Sequence, residues 1–141
     1  MPALPASVRI RVGVDIVGID RVARLVTENA DVVATIFTER EREYCLGRQN
    51  SHQHMAVRFA AKEAVLKAFG TGIGDRMRWT EVEIVRGAAG RPEVRLHGEV
   101  AAWAIRRGVA DVDVSLSHTG GLAIANAVAV LSDTESGDRE H

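Results

Sequence analysis

The chain of 141 residues is poor in cysteine and contains no long hydrophobic run. Cys45 is the single cysteine, which excludes an intrachain disulfide and a cysteine-based zinc cluster. No stretch approaches the roughly 20 apolar residues that a membrane span requires. The opening MPALPASVRI lacks the charged lead and apolar core of a signal peptide. We therefore expect a cytoplasmic protein in a reducing compartment, with no membrane partner.

The chain also lacks an excess of charge of either sign. It has 18 Lys and Arg against 19 Asp and Glu, a formal net charge of −1, so its bulk electrostatics predict no nucleic-acid partner. Hydrophobic residues make up 46% of the chain, which is enough to build a core. The length fits one domain better than two. We expect this domain to span residues 8–131, with flexible termini at residues 1–7 and 132–141.

Hydrophobic periodicity in the first half predicts a strand followed by a helix. Apolar residues alternate strictly over residues 8–14, in the order Val8, Ile10, Val12 and Val14, which indicates a half-buried strand. Asp15 lies at the end of that strand, where its side chain can be held beside a cleft. From Ile19 the apolar spacing becomes helical.

Two further helices carry clear start and stop signals. Thr38 with Glu41 three residues later predicts a capping box, and Gly47 predicts the end of that helix. The longest helical pattern covers residues 51–69 and ends at Gly70. This helix has a ridge of small residues at four-residue spacing, which allows another backbone to approach closely. The ridge consists of Ala56, Ala60, Ala64 and Ala68.

The second half reads as strands with one short helix between them. We expect a strand at residues 79–86, a returning strand at 93–96, a helix near residues 100–107, and strands at 112–117 and 122–131. The last strand is apolar on both faces, which predicts that both faces are covered. The order of elements indicates an α+β fold, in which a mostly antiparallel sheet packs on a long central helix.

Asp15, Glu63 and Lys67 are the candidate residues for chemistry in the first half, and each has a simpler interpretation. An aspartate at a strand–helix junction often caps the following helix. Glu63 and Lys67 are four residues apart on one helical face, where a pair of opposite charges contributes about 0.2–0.5 kcal/mol. Arg58 and Lys62 have the same spacing on the helix. The alternative is that these charges line a cleft. The pattern by itself leaves both interpretations open.

The segment SLSH at residues 115–118 suggests a nucleophile with its base. No Gly-x-Ser-x-Gly elbow surrounds Ser117, so a serine hydrolase is a weak hypothesis. His118, at the end of a predicted strand, is the more interesting residue. The run GTGIG at residues 70–74 matches neither a P-loop nor a dinucleotide fingerprint, although its backbone N–H groups could still meet a phosphate.

Three motifs in this order resemble the holo-acyl-carrier-protein synthase family, the short single-domain 4′-phosphopantetheinyl transferases. They are VGVDIVGIDRV at residues 12–22, RFAAKEAVLKAFGTG at 58–72 and VSLSHTGGLAIANAV at 114–128. The Gly-Arg-Pro turn at residues 90–92 is also similar to that family's pattern. The resemblance covers residues 12–131 and implies that family's α+β transferase domain.

The resemblance implies an enzyme that moves the 4′-phosphopantetheine group from coenzyme A to a serine of apo acyl carrier protein, releasing adenosine 3′,5′-bisphosphate. It implies Mg²⁺ as the cofactor, with Asp15 and Glu63 as the metal ligands. Lys67 would contact the transferring phosphate, and His118 would lie beside the phosphates of coenzyme A. Either Glu63 or a water molecule would take the proton of the attacking serine.

The resemblance also implies binding surfaces. Arg58, Gly70, Thr71 and Gly72 would help to line the nucleotide pocket, together with His118. The alternative within the same family is a catalytically silent relative that binds coenzyme A or a carrier protein without turnover.

Arg21 and Arg24 are three residues apart and share one surface of the predicted first helix. The resemblance implies that they meet the acidic helix of an acyl carrier protein. It further implies a homotrimer with its active sites between subunits.

Overall fold

The computed structural model describes residues 7–74 and 76–132. The chain forms, in order, strand β1 (Val8–Gly18), helices α1 (Ile19–Glu28), α2 (Ala30–Ile36), α3 (Glu39–Leu46) and α4 (Ser51–Phe69), strands β2 (Val82–Arg86) and β3 (Pro92–Leu96), helix α5 (Gly98–Arg106), and strands β4 (Val109–Thr119) and β5 (Leu122–Ser132). The termini predicted to be flexible lie outside the described residues, except that Ser7 is described and Ser132 closes β5.

Helix α4 packs against an antiparallel sheet in which the strand order is β1-β5-β4. Strands β2 and β3 form a separate antiparallel hairpin. In α4, 12 of 19 residues are buried, which makes it the central helix of the fold. The predicted α+β fold is therefore confirmed. Within residues 7–74 and 76–132, no helix is both long and apolar enough to cross a membrane.

The contact between α4 and the sheet is made largely by small side chains. The alanine ridge predicted in α4 is buried, and β5 presents a second row of alanines toward it. Two surfaces that carry only methyl groups can approach more closely than surfaces with larger side chains. The β5 row consists of Ala123, Ala125, Ala127 and Ala129, all fully buried. The prediction that both faces of the last strand are covered is thus correct for its alanine face. In a single chain it is wrong for the opposite face, where Val128 is 40% exposed.

The predicted burial of β1 is wrong for a single chain. Its apolar side chains point away from α4 and remain exposed, and Val12 is 71% exposed. The opposite face, which contains Gly13 and Asp15, packs toward α4. The periodicity identified the strand correctly but assigned the wrong face to the core, because small residues and not large ones meet this helix. The exposed residues are Val8, Ile10, Val12, Val14 and Ile16.

Two other segments differ from the prediction. Residues 79–81 form a 3₁₀ turn, so the strand predicted at residues 79–86 begins only at Val82. The carbonyl groups of Trp79 and Val82 both turn toward the ammonium group of Lys62, which draws the backbone out of extended geometry at this point. Helix α2 was not predicted at all. The capping box of Thr38 and Glu41 is confirmed, and α3 ends at Gly47 as expected.

A buried ion pair joins α4 to α3. Lys62 Nζ lies 2.8 Å from Glu41 Oε1, and both side chains are fully buried. Glu41 Oε2 also accepts a hydrogen bond from the backbone N–H of Ile84, at 2.8 Å. Because Lys62 also donates to two backbone carbonyls, every charge of this pair is matched by a partner. The pair therefore anchors α4 to α3 and to the first residues of β2.

We expect Lys62→Met to lower the free energy of unfolding by about 3–5 kcal/mol, because it leaves the Glu41 carboxylate buried without a cation. Lys67→Met removes a lysine whose side chain is 53% exposed, so we expect a change within about 1 kcal/mol. Urea unfolding at one fixed protein concentration measures both variants. Equal unfolding midpoints for the two variants would contradict the anchoring role of Lys62.

Candidate active site

Strand β1 and helix α4 bring three of the predicted site residues together. Lys67 Nζ lies 2.9 Å from Asp15 Oδ1 and 3.1 Å from the carbonyl oxygen of Val14. Asp15 and Glu63 line the same cleft. The helix-cap interpretation of Asp15 is therefore wrong, because Gly18 occupies the N-cap of α1 and no side chain caps it. Lys67 likewise pairs with the strand and does not simply pair along its own helix.

Local geometry explains why these side chains converge. Glu63 and Lys67 are one helical turn apart and project from the same side of α4. Asp15 lies on the face of β1 that packs toward α4, since side chains two residues apart share a face and the neighbouring Gly13 contacts that helix. The site is thus built on two rigid elements and not on a loop.

The electrostatic environment of Glu63 differs from that of a surface glutamate. Burial raises the pKa of its carboxyl group above the ordinary value, and the nearby Asp15 carboxylate raises it further. Lys67 opposes this effect and lowers the pKa. Two carboxylates that disfavour each other's charge form a site to which a divalent cation can bind favourably.

The donor set fits magnesium better than a transition metal. Mg²⁺ prefers oxygen ligands and is usually held by one or two carboxylates plus water and substrate phosphates. Asp15 and Glu63 supply two such carboxylates. Among the described residues, no group of three or more His, Cys, Asp or Glu side chains is placed to enclose a metal ion. Such a site leaves most coordination positions to the substrate.

The cleft beside the two carboxylates has a volume of about 520 Å³ and extends along α1. Arg21 and Arg24, the residues predicted to bind the carrier, both line it. Phe59 from α4 supplies an apolar wall. A charged end and a partly apolar channel therefore belong to one cleft, which we call the carboxylate cleft.

A second cleft, of about 470 Å³, lies on another side of α4 and is strongly basic. We call it the basic cleft. Arg58, a residue that is only 6% exposed, lines this cleft, and its guanidinium carbon lies 4.3 Å from the centre of the Tyr44 ring. The Nε atom of Arg58 is buried and has no hydrogen-bond partner among the described residues. This orphaned donor favours an anionic ligand.

Three cationic or imidazole side chains of the basic cleft were not predicted from the sequence as site residues. They are His54, Arg86 and Arg91. The Gly-Arg-Pro turn at residues 90–92 points to this region, as do the second and third motifs, which contribute Arg58 and Ser115 to the lining. Burial lowers the pKa of His54, and the positive charges of Arg58 and other neighbours lower it further. A bound anion would relieve the same repulsion.

The remaining predicted residues do not join either cleft within the described parts of the chain. His118 Nε2 lies 2.9 Å from Gln53 Nε2, at the start of α4, and both side chains are accessible to solvent. Gly70 ends α4 with a φ of +82°, and Thr71 and Gly72 follow it outside both cleft linings.

Ser117 precedes His118 in strand β4, so the two side chains point to opposite faces. This geometry counts against the hydrolase hypothesis.

Comparison with known proteins identifies the family. Residues 11–127 match the 4′-phosphopantetheinyl transferase superfamily. The holo-[acyl-carrier-protein] synthase of Geobacter sulfurreducens is 47% identical over 117 residues, which cover 82% of this chain and 93% of that protein. The chain belongs to the holo-[acyl-carrier-protein] synthase family. The corresponding synthase of Geotalea daltonii is 46% identical over 117 residues, which cover 94% of that protein. The resemblance inferred from the three motifs is thereby confirmed.

Solved structures of this family share the fold. The crystal structure of the synthase from Neisseria meningitidis superimposes with a TM-score of 0.78 at 31% identity, covering 84% of this chain and 96% of that one. The Helicobacter pylori synthase, solved in complex with coenzyme A, gives a TM-score of 0.73 at 27% identity and covers 84% of this chain and 98% of that one. The α+β arrangement of this chain is therefore the family fold.

The raised pKa of Glu63 predicts a stabilising substitution. In the unfolded chain the carboxyl group ionises at its ordinary, lower pKa, so the metal-free folded state loses stability as the pH rises through the two pKa values. We expect Glu63→Gln to raise the urea midpoint of the metal-free protein at neutral pH. At about pH 4, where the carboxyl group is largely protonated, we expect little gain. A gain that is equal at both pH values would contradict this electrostatic explanation.

Proposed function

We propose that this protein transfers the 4′-phosphopantetheine group from coenzyme A to a serine of an apo acyl carrier protein, with adenosine 3′,5′-bisphosphate as the second product. The observation that carries the proposal is the convergence of Asp15 and Glu63 in the carboxylate cleft, with Lys67 Nζ bound to Asp15 Oδ1 at 2.9 Å. The function predicted from the three motifs is supported by relatives that are named holo-[acyl-carrier-protein] synthases. We place the reaction in the cytoplasm, without a nucleic-acid partner.

To catalyse this reaction, the protein must mainly position the reacting groups and neutralise the negative charge of the phosphates. The carrier serine attacks the β-phosphorus of coenzyme A, and the bond to the adenosine 3′,5′-bisphosphate oxygen breaks, so negative charge builds on the phosphoryl oxygens. Lys67 extends from α4 toward the carboxylates with a side chain that is half exposed, so its ammonium group can meet an incoming phosphate. Asp15 holds that ammonium group in place.

Magnesium fits the two carboxylates, and Asp15 and Glu63 would hold it. The ion, when bound, neutralises and orients the pyrophosphate oxygens. The chain contributes two oxygen ligands on rigid elements and a burial environment that raises the pKa of Glu63. The deprotonated Glu63 is destabilised without a cation, which strengthens its interaction with one.

The basic cleft supplies charges suited to the nucleotide part of coenzyme A. That part carries a 3′-phosphate as well as the pyrophosphate, so it needs several cationic partners. Arg58, Arg86 and Arg91 line the basic cleft, and Tyr44 presents an aromatic ring there. We assign the nucleotide to this cleft. The predicted contribution of Gly70, Thr71 and Gly72 to nucleotide binding stays a prediction.

The surface of α1 is suited to an acidic carrier protein. Arg21 and Arg24 are both exposed and line the carboxylate cleft, so a carrier bound there would present its serine to the site. Exposed charges of this kind chiefly increase the rate of association. We assign carrier binding to this helix.

A homotrimer would join the parts that one chain holds apart. The carboxylate cleft and the basic cleft share no lining residue, and His118 lies outside both. The exposed apolar residues of β1 lie beside apolar residues of β5, with Val12 paired to the exposed Val128 and Ile10 to the half-buried Val130. Such a continuous apolar sheet face marks an interaction surface. We propose that three chains associate through this sheet face, so that each active site combines residues of two subunits.

The decisive measurement of function is the mass of the carrier. With apo acyl carrier protein, coenzyme A and Mg²⁺, we expect intact-mass spectrometry to show one added phosphopantetheine group. We expect Glu63→Gln to abolish the transfer, because it removes a charged ligand from the metal site. The matched control is Glu99→Gln, which changes an exposed carboxylate on α5 that lines neither cleft. This variant should carry out the transfer normally.

The same assay separates the alternative functions. A catalytically silent relative would bind coenzyme A in a calorimetric titration but leave the carrier mass unchanged. A serine hydrolase would work in the presence of a chelator, whereas the proposed transfer should stop when the divalent metal is removed. Normal transfer by Glu63→Gln would show that the metal assignment is wrong.

The trimer has its own test. We expect Val12→Glu, at the centre of the exposed sheet face, to give a monomer in light scattering and to lose transfer activity, because a buried charge would oppose association. The matched control is Ile105→Glu on α5, where the isoleucine is 78% exposed and lies away from this sheet face. A trimeric and active Val12→Glu would contradict the proposed interface.

A further inference from the structure

Gly13 lies in β1 two residues before Asp15, at the point where the strand crosses α4. A β-carbon placed on Gly13 would lie 2.1 Å from the carbonyl oxygen of Ala64, 2.6 Å from the amide nitrogen of Ala68 and 3.0 Å from the β-carbon of Lys67. Its backbone is not in the left-handed region, so conformational freedom is not what this position requires. The position requires space.

The atoms in the way belong to the backbone of α4. The carbonyl of Ala64 and the N–H of Ala68 are four residues apart and form one hydrogen bond of the helix. Neither atom can rotate away as a flexible side chain would. A methyl group at position 13 must therefore move the strand away from the helix by more than 1 Å, or break that hydrogen bond.

We propose that Gly13 is a positioning residue, whose missing side chain sets the distance from Asp15 to the Glu63 and Lys67 face of α4. Gly13 and Asp15 lie on the same face of β1, and Lys67 contacts both positions. Displacement of the strand at Gly13 therefore displaces the Asp15 carboxylate from its partners. This inference rests on the proposed function, because it assumes that Asp15 and Glu63 hold one metal ion.

The metal makes the site sensitive to this distance. Mg²⁺ sites tolerate little variation in ligand distance, so a gap that widens by more than 1 Å would prevent Asp15 and Glu63 from holding one ion together. Residues that orient metal ligands typically change the metal affinity about 10–100-fold when substituted. We expect an effect of this size from a single methyl group outside the metal site.

The test compares two glycines of the same strand. Gly13→Ala should weaken Mn²⁺ binding by about 10–100-fold, as measured by electron paramagnetic resonance of the free ion. It should also raise the half-saturating Mg²⁺ concentration in the transfer assay. Gly18→Ala is the matched control, because a β-carbon there meets only the Arg21 β-carbon, at 3.9 Å, and φ is −77°. It should leave both values unchanged.

The concentration dependence separates positioning from a merely structural role. An irreversibly misfolded fraction would lower the rate per total protein without changing the half-saturating Mg²⁺ concentration. Reversible unfolding raises that concentration only by the reciprocal of the folded fraction, so it stays below twofold while more than half of the variant is folded. A folded Gly13→Ala variant that binds Mn²⁺ as tightly as the natural chain overturns the inference. If Gly13→Ala does not fold, Ala64→Val, which adds bulk to the same crossing, replaces it. It should weaken Mn²⁺ binding in the same direction, and unchanged affinity overturns the inference.

The proposed function can fail separately. A natural chain that binds Mn²⁺ but adds nothing to the carrier contradicts the transfer reaction and leaves the Gly13 comparison valid. A natural chain that does not bind Mn²⁺ contradicts the metal assignment, and the inference fails with it.

Discussion

Helix α4 lies close to the sheet because both contacting surfaces carry little side-chain volume. The helix presents an alanine ridge, β5 presents a row of alanines, and β1 presents Gly13. Close packing of this kind brings the backbone of the helix near the backbone of the strands, and it leaves the helix little freedom to slide along the sheet. The carboxylate cleft depends on this contact, since Asp15 comes from the strand and Glu63 and Lys67 come from the helix. A larger residue at the crossing would separate them.

The charged residues of α4 lie in three different environments. Arg58 turns into the basic cleft, Lys62 enters the core to pair with Glu41, and Glu63 and Lys67 face β1. Neighbouring residues of a helix point about 100° apart, so Lys62 and Glu63 can have opposite surroundings although they are adjacent. The buried ion pair of Lys62 fixes the rotation of the helix, and this rotation directs Arg58 toward the basic cleft and Lys67 toward β1. Stability and site geometry are therefore coupled within one element.

The sheet has one face for the core and one face that a single chain leaves exposed. The alanine face meets α4, while valine and isoleucine residues of β1 are left in solvent. Burying that exposed face would release apolar area from water, at about 25 cal/mol per Å². The exposed apolar face and the separation of the two clefts both favour association of several chains, and each observation is independent of the other.

The sequence by itself determined the family, the α+β class and most helix and strand positions. Capping residues such as Thr38 and stop signals such as Gly70 act locally, so they can be read from a few neighbouring residues. Periodicity located β1 but not its buried face. An apolar face that is exposed in a single chain has the same sequence pattern as one that packs against the core. Strand β1 and helix α4 are about 50 residues apart in the chain, so no local pattern could show that Asp15 pairs with Lys67.

Only the tertiary structure decided which charges are structural and which line a cleft. Lys62 and Lys67 look alike in the sequence, five residues apart in one helix, yet the first is fully buried and the second reaches Asp15. The basic cleft depends on Arg58, Arg86 and Arg91, which come from α4 and the β2–β3 hairpin and meet only after folding. Burial and long-range contact are properties of the packed chain, and they decide what each charged residue can do.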